Sequence, residues 1–181
     1  MVLIRELGGV LVEELISVHD RLARRENLSS SVISQCAMAE KDYISSIVAG
    51  MLTCGGVHGP VSQVVRFLSG SSYADEARLR IKGKRLVPGW GSGFVKGRPD
   101  PELSRIDRVL CVRNRDIWAR IREITDILHE SGKKIFPNAA CYTASVCLAL
   151  GFPAEAALYW LIRGRIGAWT EIYLENYNPR L

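Results

Sequence analysis

The run Leu86-Val87-Pro88-Gly89-Trp90-Gly91-Ser92-Gly93 breaks a chain whose periodicity is otherwise helical. Glycines at every second position leave the backbone uncrowded, so its N–H groups can approach a ligand closely. Lys82, Lys84, Arg85, Lys96 and Arg98 surround the run with positive charge suited to phosphates. The bland alternative for these side chains is a solvated loop that binds nothing. A second glycine-flanked turn, Gly55-Gly56-Val57-His58-Gly59-Pro60, holds one of the three histidines. The other two, His19 and His129, are distant in sequence, and none of the three has a second ligand at zinc spacing. Cys36, Cys54, Cys111, Cys141 and Cys147 form no CxxC pair, and three of them lie in apolar helical patterns where a thiol acts as a small hydrophobe. No metal site is expected.

These residues must be held by a chain of 181 residues, long enough for one core or for two small lobes sharing one. Hydrophobic residues at 48% and charged residues at 24% are the balance of an ordinary soluble protein. No apolar run reaches the ~18–20 residues of a membrane span. The opening Met-Val-Leu-Ile-Arg-Glu-Leu lacks the parts of a secretory signal, and with the odd cysteine count this predicts a reducing, cytoplasmic setting. The excess of 24 Lys+Arg over 19 Asp+Glu suits an anionic partner such as a phosphorylated cofactor. Because the basic residues are spread along the chain, a nucleic-acid face is not expected.

The class is all-α. Val10, Leu11, Leu15, Ile16, Val18 and Leu22 mark an opening helix, and Tyr43, Ile44, Ile47, Val48, Met51 and Leu52 form the clearest amphipathic stripe. Pro60 and Gly70 bracket a short helix carrying Val61, Val64, Val65 and Leu68. The stretch 69–101 interrupts the pattern. Asp100-Pro101-Glu102 then reads as an N-cap, a first-turn proline and an acid favourable to the dipole, opening a helix to about Val112. Ile117, Trp118, Ile121, Ile124 and Leu128 mark another helix ended by Gly132, and Asn138 caps one running to Leu150. The long apolar segment Ala154–Glu175 is expected to be a buried helix, with the stretch Ala154–Trp169 covered by a partner.

Four segments, in order, resemble the C-terminal half of the citrate synthase family. Lys41-Asp42-Tyr43-Ile44-Ser45-Ser46 through Gly55-Gly56-Val57-His58-Gly59-Pro60 is similar to the helix leading to the family's GPLHGGAN turn, with wording nearer citryl-CoA lyase and the lyase module of ATP-citrate lyase. Val87-Pro88-Gly89-Trp90-Gly91-Ser92-Gly93 through Asp100-Pro101 resembles its VPGxGHxVxKxxDPR loop. Phe136-Pro137-Asn138-Ala139-Ala140 resembles its PNVDFYSA segment, and Gly164-Arg165-Ile166-Gly167-Ala168-Trp169 with Glu175 resembles its RxxGWxAHxxE helix.

The resemblance implies an all-helical fold lacking the family's N-terminal half, with a small domain set between large-domain helices. The implied divisions are 1–60 (large-domain-like), 61–150 (the CoA-loop region) and 151–181 (a returning large-domain-like helix). It implies a CoA or acyl-CoA substrate, and carbon–carbon bond formation or cleavage with an oxo-acid by an acyltransferase or lyase. His58 matches the histidine that stabilises the enol. Val87, Pro88, Gly89, Trp90, Gly91 and Gly93 match the CoA loop, with Trp90 offered as an adenine-stacking ring and Lys96 and Arg98 as phosphate partners. Arg165 keeps a carboxylate-binding position, and Arg180 is a second candidate near the C-terminus. Ser92 replaces the acceptor-polarising histidine, Ala140 the catalytic aspartate, Glu102 the arginine of DPR and Arg24 an earlier substrate-binding histidine. The resemblance therefore also admits a non-catalytic or half subunit that completes a site with a paralogous chain. A homodimer or such a heteromer is expected.

Overall fold

The computed structural model describes residues 2–25, 27–54, 60–91 and 97–178, with side chains from Gly9 onward. His58, Ser92, Gly93, Lys96 and Arg180 lie outside the described residues. The described residues form nine α-helices: α1 (Val2–Ala23), α2 (Leu28–Met38), α3 (Tyr43–Leu52), α4 (Val61–Ser69), α5 (Tyr73–Lys82), α6 (Ser104–Arg113), α7 (Arg115–Glu130), α8 (Ala139–Ala149) and α9 (Ala154–Asn176). A 3-10 turn at Pro101–Leu103 precedes α6. Two short strands, β1 (Trp90–Gly91) and β2 (Phe136–Pro137), pair antiparallel with Trp90 opposite Pro137 and Gly91 opposite Phe136. No described helix is long and apolar enough to cross a membrane.

The architecture centres on the crossing of α1 with α9. Leu11, Leu15, Val18 and Leu22 of α1 enter the main core with Val64 and Leu68 of α4, Ile106 and Leu110 of α6, Ile121, Ile124 and Leu128 of α7, and Leu161 of α9. At the crossing, a Cβ on Gly164 would lie 2.5 Å from the His19 Cβ and 3.1 Å from the Ile16 carbonyl oxygen, so only glycine lets the two backbones meet. A smaller cluster joins Ala23, Ile33, Ala37 and Ile47 to Ala168, Trp169 and Tyr173. Helix α9 is thus packed within its own chain against α1, α2, α4 and α8. Tyr159, Ile166 and Leu174 of α9 nevertheless stay exposed.

Two helices were not legible in the sequence. Helix α5 buries only Ala77 and carries no apolar stripe; Asp75 and Glu76 in its first turn, Arg80 and Lys82 in its last, and the Glu76–Arg80 ion pair at 2.6 Å support it instead. Helix α2 buries Ser29 and Ser30 as well as Ile33 and Ala37, so its buried face does not look apolar. The Ser30 hydroxyl donates to the Ala23 carbonyl at 2.6 Å, which makes that burial tolerable. Elsewhere the caps fall where expected: Asn138 begins α8, and Asp100 accepts from the Glu102 N–H at 3.0 Å.

Candidate functional site

The bend Val87–Gly91 is built on the first turn of α8. The Gly89 carbonyl accepts the Asn138 N–H at 2.9 Å, and the Asn138 side chain in turn accepts from the N–H groups of Ala140 (3.0 Å) and Cys141 (3.3 Å). Gly89 has φ +85°, and a Cβ there would meet Val64 Cγ1 at 2.9 Å and Cys141 Cβ at 3.1 Å. The bend is therefore seated between α4 and α8. Val87 and Gly89 are buried, whereas Pro88 and Gly91 are half-buried.

Trp90 anchors this seat. Its ring is 2% exposed, stands edge-on to Phe67 and donates its indole N–H to Thr125 Oγ1 at 3.0 Å. Thr125 uses its own proton on the Ile121 carbonyl at 2.7 Å, which leaves its oxygen free to accept. This burial corrects the adenine-stacking expectation: the ring is core, and what the position offers at the bend is backbone. Arg98 is exposed, as are Lys82, Lys84 and Arg85.

Arg165 lies on α9 immediately after the Gly164 crossing, and its Nε has no hydrogen-bond partner among the described residues. Burial pushes its pKa below the ordinary arginine value, partly offset by the nearby Cys54 thiol. Cys54 ends the described chain before the His58 turn, and α4, which resumes it at Val61, presents Val64 to Gly89.

Three arginines at the end of α1 and just beyond it are committed to partners inside the chain. Arg24 pairs with Asp20 and Glu171. Arg21 reaches Glu102 at 2.6 Å and Glu14 at 3.6 Å, while Arg25 reaches Asp100 at 3.1 Å and Glu102 at 3.4 Å. Glu102 therefore stands in an ionic clasp between α1 and the turn before α6. Ala140 is buried beneath the Asn138 cap and offers a methyl group. Burial pushes the thiols of Cys141 and Cys147 up, the latter to about 12, so neither serves as a nucleophile near neutral pH.

His19 is 0% exposed on the packed face of α1. Its place in the apolar series Leu15, Val18, His19, Leu22 was the available signal. Nε2 lies 2.7 Å from Thr143 Oγ1, and Nδ1 has no partner. Burial, then the positive charge of Arg165, lowers its pKa from 6.5 to about 3. The unfolded chain therefore binds a proton here that the folded chain refuses. Stability contributed by the neutral ring is complete above about pH 6.5 and is lost as pH falls toward 3. Denaturant titrations between those limits should show the folding constant dropping by up to ~10-fold per pH unit from this site. In His19→Gln that component should vanish; an unchanged slope contradicts the assignment.

Residues 25–180 match the citrate synthase C-terminal domain. The fold superposes on citrate synthase from Thermotoga maritima with a TM-score of 0.72 and 23% identity, over 90% of this chain and 50% of that one. Citryl-CoA lyase from Hydrogenobacter thermophilus gives 0.78 and 19%, over 94% and 70%. ATP citrate lyase from Methanothrix soehngenii, solved with citrate and coenzyme A, gives 0.78 and 15%, over 97% and 33%. No curated protein matches by sequence. The chain spans about half the length of the citrate synthase and a third of the ATP citrate lyase. With the family match running from residue 25 to 180 of 181, and the helical architecture following it, the chain belongs to the citrate synthase C-terminal domain family.

Proposed function

We propose that this protein binds a CoA thioester on the Val87–Gly91 bend and a carboxylate on Arg165, for carbon–carbon bond chemistry with an oxo-acid through an altered site. Two observations carry the reading: a glycine-requiring bend seated on the first turn of α8, and an arginine whose buried Nε has no hydrogen-bond partner among the described residues. Main-chain recognition survives side-chain drift, so a loop of this kind outlasts the acid–base residues once set beside it. His58 is the remaining candidate to hydrogen-bond an enol oxygen, with Ser92 and Arg180 as further substrate contacts. Gly93, Lys96 and Arg98 extend the CoA surface.

Loss of a general base typically removes ~10²–10⁴-fold of rate. With alanine at 140, unaided citrate synthesis is correspondingly slow. Calorimetry should detect CoA or acetyl-CoA binding in the micromolar-to-millimolar range. An absence of both heat and thermal shift at saturating acetyl-CoA contradicts the proposal.

One observation favours a second reading, in which the chain completes a site with another subunit. On α3, Ile44, Val48 and Leu52 are 66%, 45% and 81% exposed at four-residue spacing on a helix with no charged residue. A bare apolar stripe of this kind is ordinarily covered in an assembly. The mass of the species in solution, with any co-purifying chain identified, separates the two readings.

A further inference from the structure

Val10 and Val112 are 50% and 71% exposed, although they sit on helices that pack against one another. Between α1 and α6 they line, with Val109, a cavity of about 410 Å³ whose other described lining residues are Arg105, Arg108 and Arg113. Every charged side chain in that described lining is therefore an arginine. Val109 is half-buried and packs on the main core, which fixes the apolar floor in place. Arg105 forms an ion pair at 3.0 Å with Glu14, which is 6% exposed, while 68% of the arginine side chain stays open to solvent. A buried carboxylate thereby holds this cation at the rim. From Arg105 to Arg113 the groove follows about 12 Å of helix axis.

We propose that this groove binds a medium-chain fatty carboxylate, with the alkyl chain on Val10, Val109 and Val112 and the head group among the arginines of α6. The described lining complements such an amphiphile: a branched aliphatic floor, and planar guanidinium forks that match a carboxylate. The volume falls within the ~300–1,000 Å³ of small-molecule sites. Three valines fall well short of the ~20–30 residues a side that a stable protein interface uses, which favours a small ligand over a protein. The lining belongs to α1 and α6, so the proposal does not rest on the reading of the Val87–Gly91 bend or of Arg165.

Calorimetry on the full chain near pH 7 should show decanoate binding below its micelle concentration. Each methylene buried is worth up to ~4-fold in affinity, so decanoate should bind at least ~30-fold tighter than butyrate. Decanol, which lacks the charge, should bind at least ~10-fold more weakly than decanoate. Combining Arg108→Gln with Arg113→Gln should cost ~10-fold or more, and Val112→Ser ~5-fold or more. Melting temperatures should not change, because all three side chains are exposed. Val48→Ser, on the bare stripe of α3, should leave decanoate affinity as it is. On the ¹⁵N-labelled native chain, decanoate should shift the amides of Val10 and of Arg105–Arg113 most, which locates the site without any variant. Shifts concentrated on α3, equal affinity for decanoate and butyrate, or full affinity in the groove variants overturns the proposal. Binding of phosphatidylglycerol vesicles or of an acidic helical peptide, by a chain that ignores dispersed decanoate, also overturns it and makes the groove a membrane or protein surface. CoA affinity should be the same in the groove variants as in the native chain. If the native chain binds no CoA, the proposed function fails and the decanoate measurements still decide this site.

Discussion

Gly164→Ala should destabilise the protein by about 2–3 kcal/mol, lowering its melting temperature by roughly 5–10 °C. The added methyl would come 2.5 Å from the His19 Cβ, 3.1 Å from the Ile16 carbonyl oxygen and 3.2 Å from the Ile16 Cα. These atoms belong to the body of α1, and no rotamer change moves them away. Alanine gains about 1 kcal/mol of helix propensity over glycine, but that gain is smaller than the cost of prising the two longest helices apart. Gly167→Ala is the matched control on the same helix. Its methyl would meet only the Asp20 Oδ1, at 3.1 Å, which is the end of a side chain that can swing aside. Thermal melts should therefore show Gly167→Ala near neutral and Gly164→Ala strongly destabilised. Equal melting temperatures would mean that the α1–α9 crossing is not the tight joint described.

Gly89→Ala should cost about 2–4 kcal/mol and weaken CoA binding by at least ~10-fold. The backbone at Gly89 sits at φ +85°, where a Cβ is strained in itself, and that Cβ would also strike Val64 and the Cys141 backbone (Cα at 3.3 Å). Relief requires the bend to leave the first turn of α8, breaking the hydrogen bond from Asn138 to the Gly89 carbonyl. Gly91→Ala tests recognition apart from folding, because its Cβ would meet only the Asn138 Nδ2, at 4.0 Å. That variant should keep its melting temperature yet lose CoA affinity where the ligand needs a bare backbone. Calorimetry alongside melting curves on both variants checks the pair. Retention of full affinity by both would place the CoA surface elsewhere.

The sequence made the class and several helix boundaries legible because their signals are local. Asn138 announces the start of α8, Gly132 the end of α7, and the spacing of Ile117 to Leu128 the buried face of α7. What it hid depends on long-range partners. Helix α5 is a charged helix held by its dipole and ion pairs, and α2 buries Ser30, bonded to the Ala23 carbonyl, and Ser29, bonded to the Thr53 hydroxyl, so neither shows a stripe. Trp90 next to glycines read as a ligand platform, yet Thr125, 35 residues away, draws its indole inward. The same holds for the site. The glycines of the bend and Arg165 were visible as residue types, but the saturation of Arg21 and Arg25 by Asp100 and Glu102 joins residues 75 or more positions apart. His19 was visible only as a lone histidine, since its partner Thr143 lies 124 residues away.

The most direct test of a retained CoA cradle is amide hydrogen exchange on the full chain with and without saturating CoA. Added protection concentrated at Val87–Gly91 and the first turn of α8 is the predicted result. Protection confined to other helices, or no change anywhere, would contradict it.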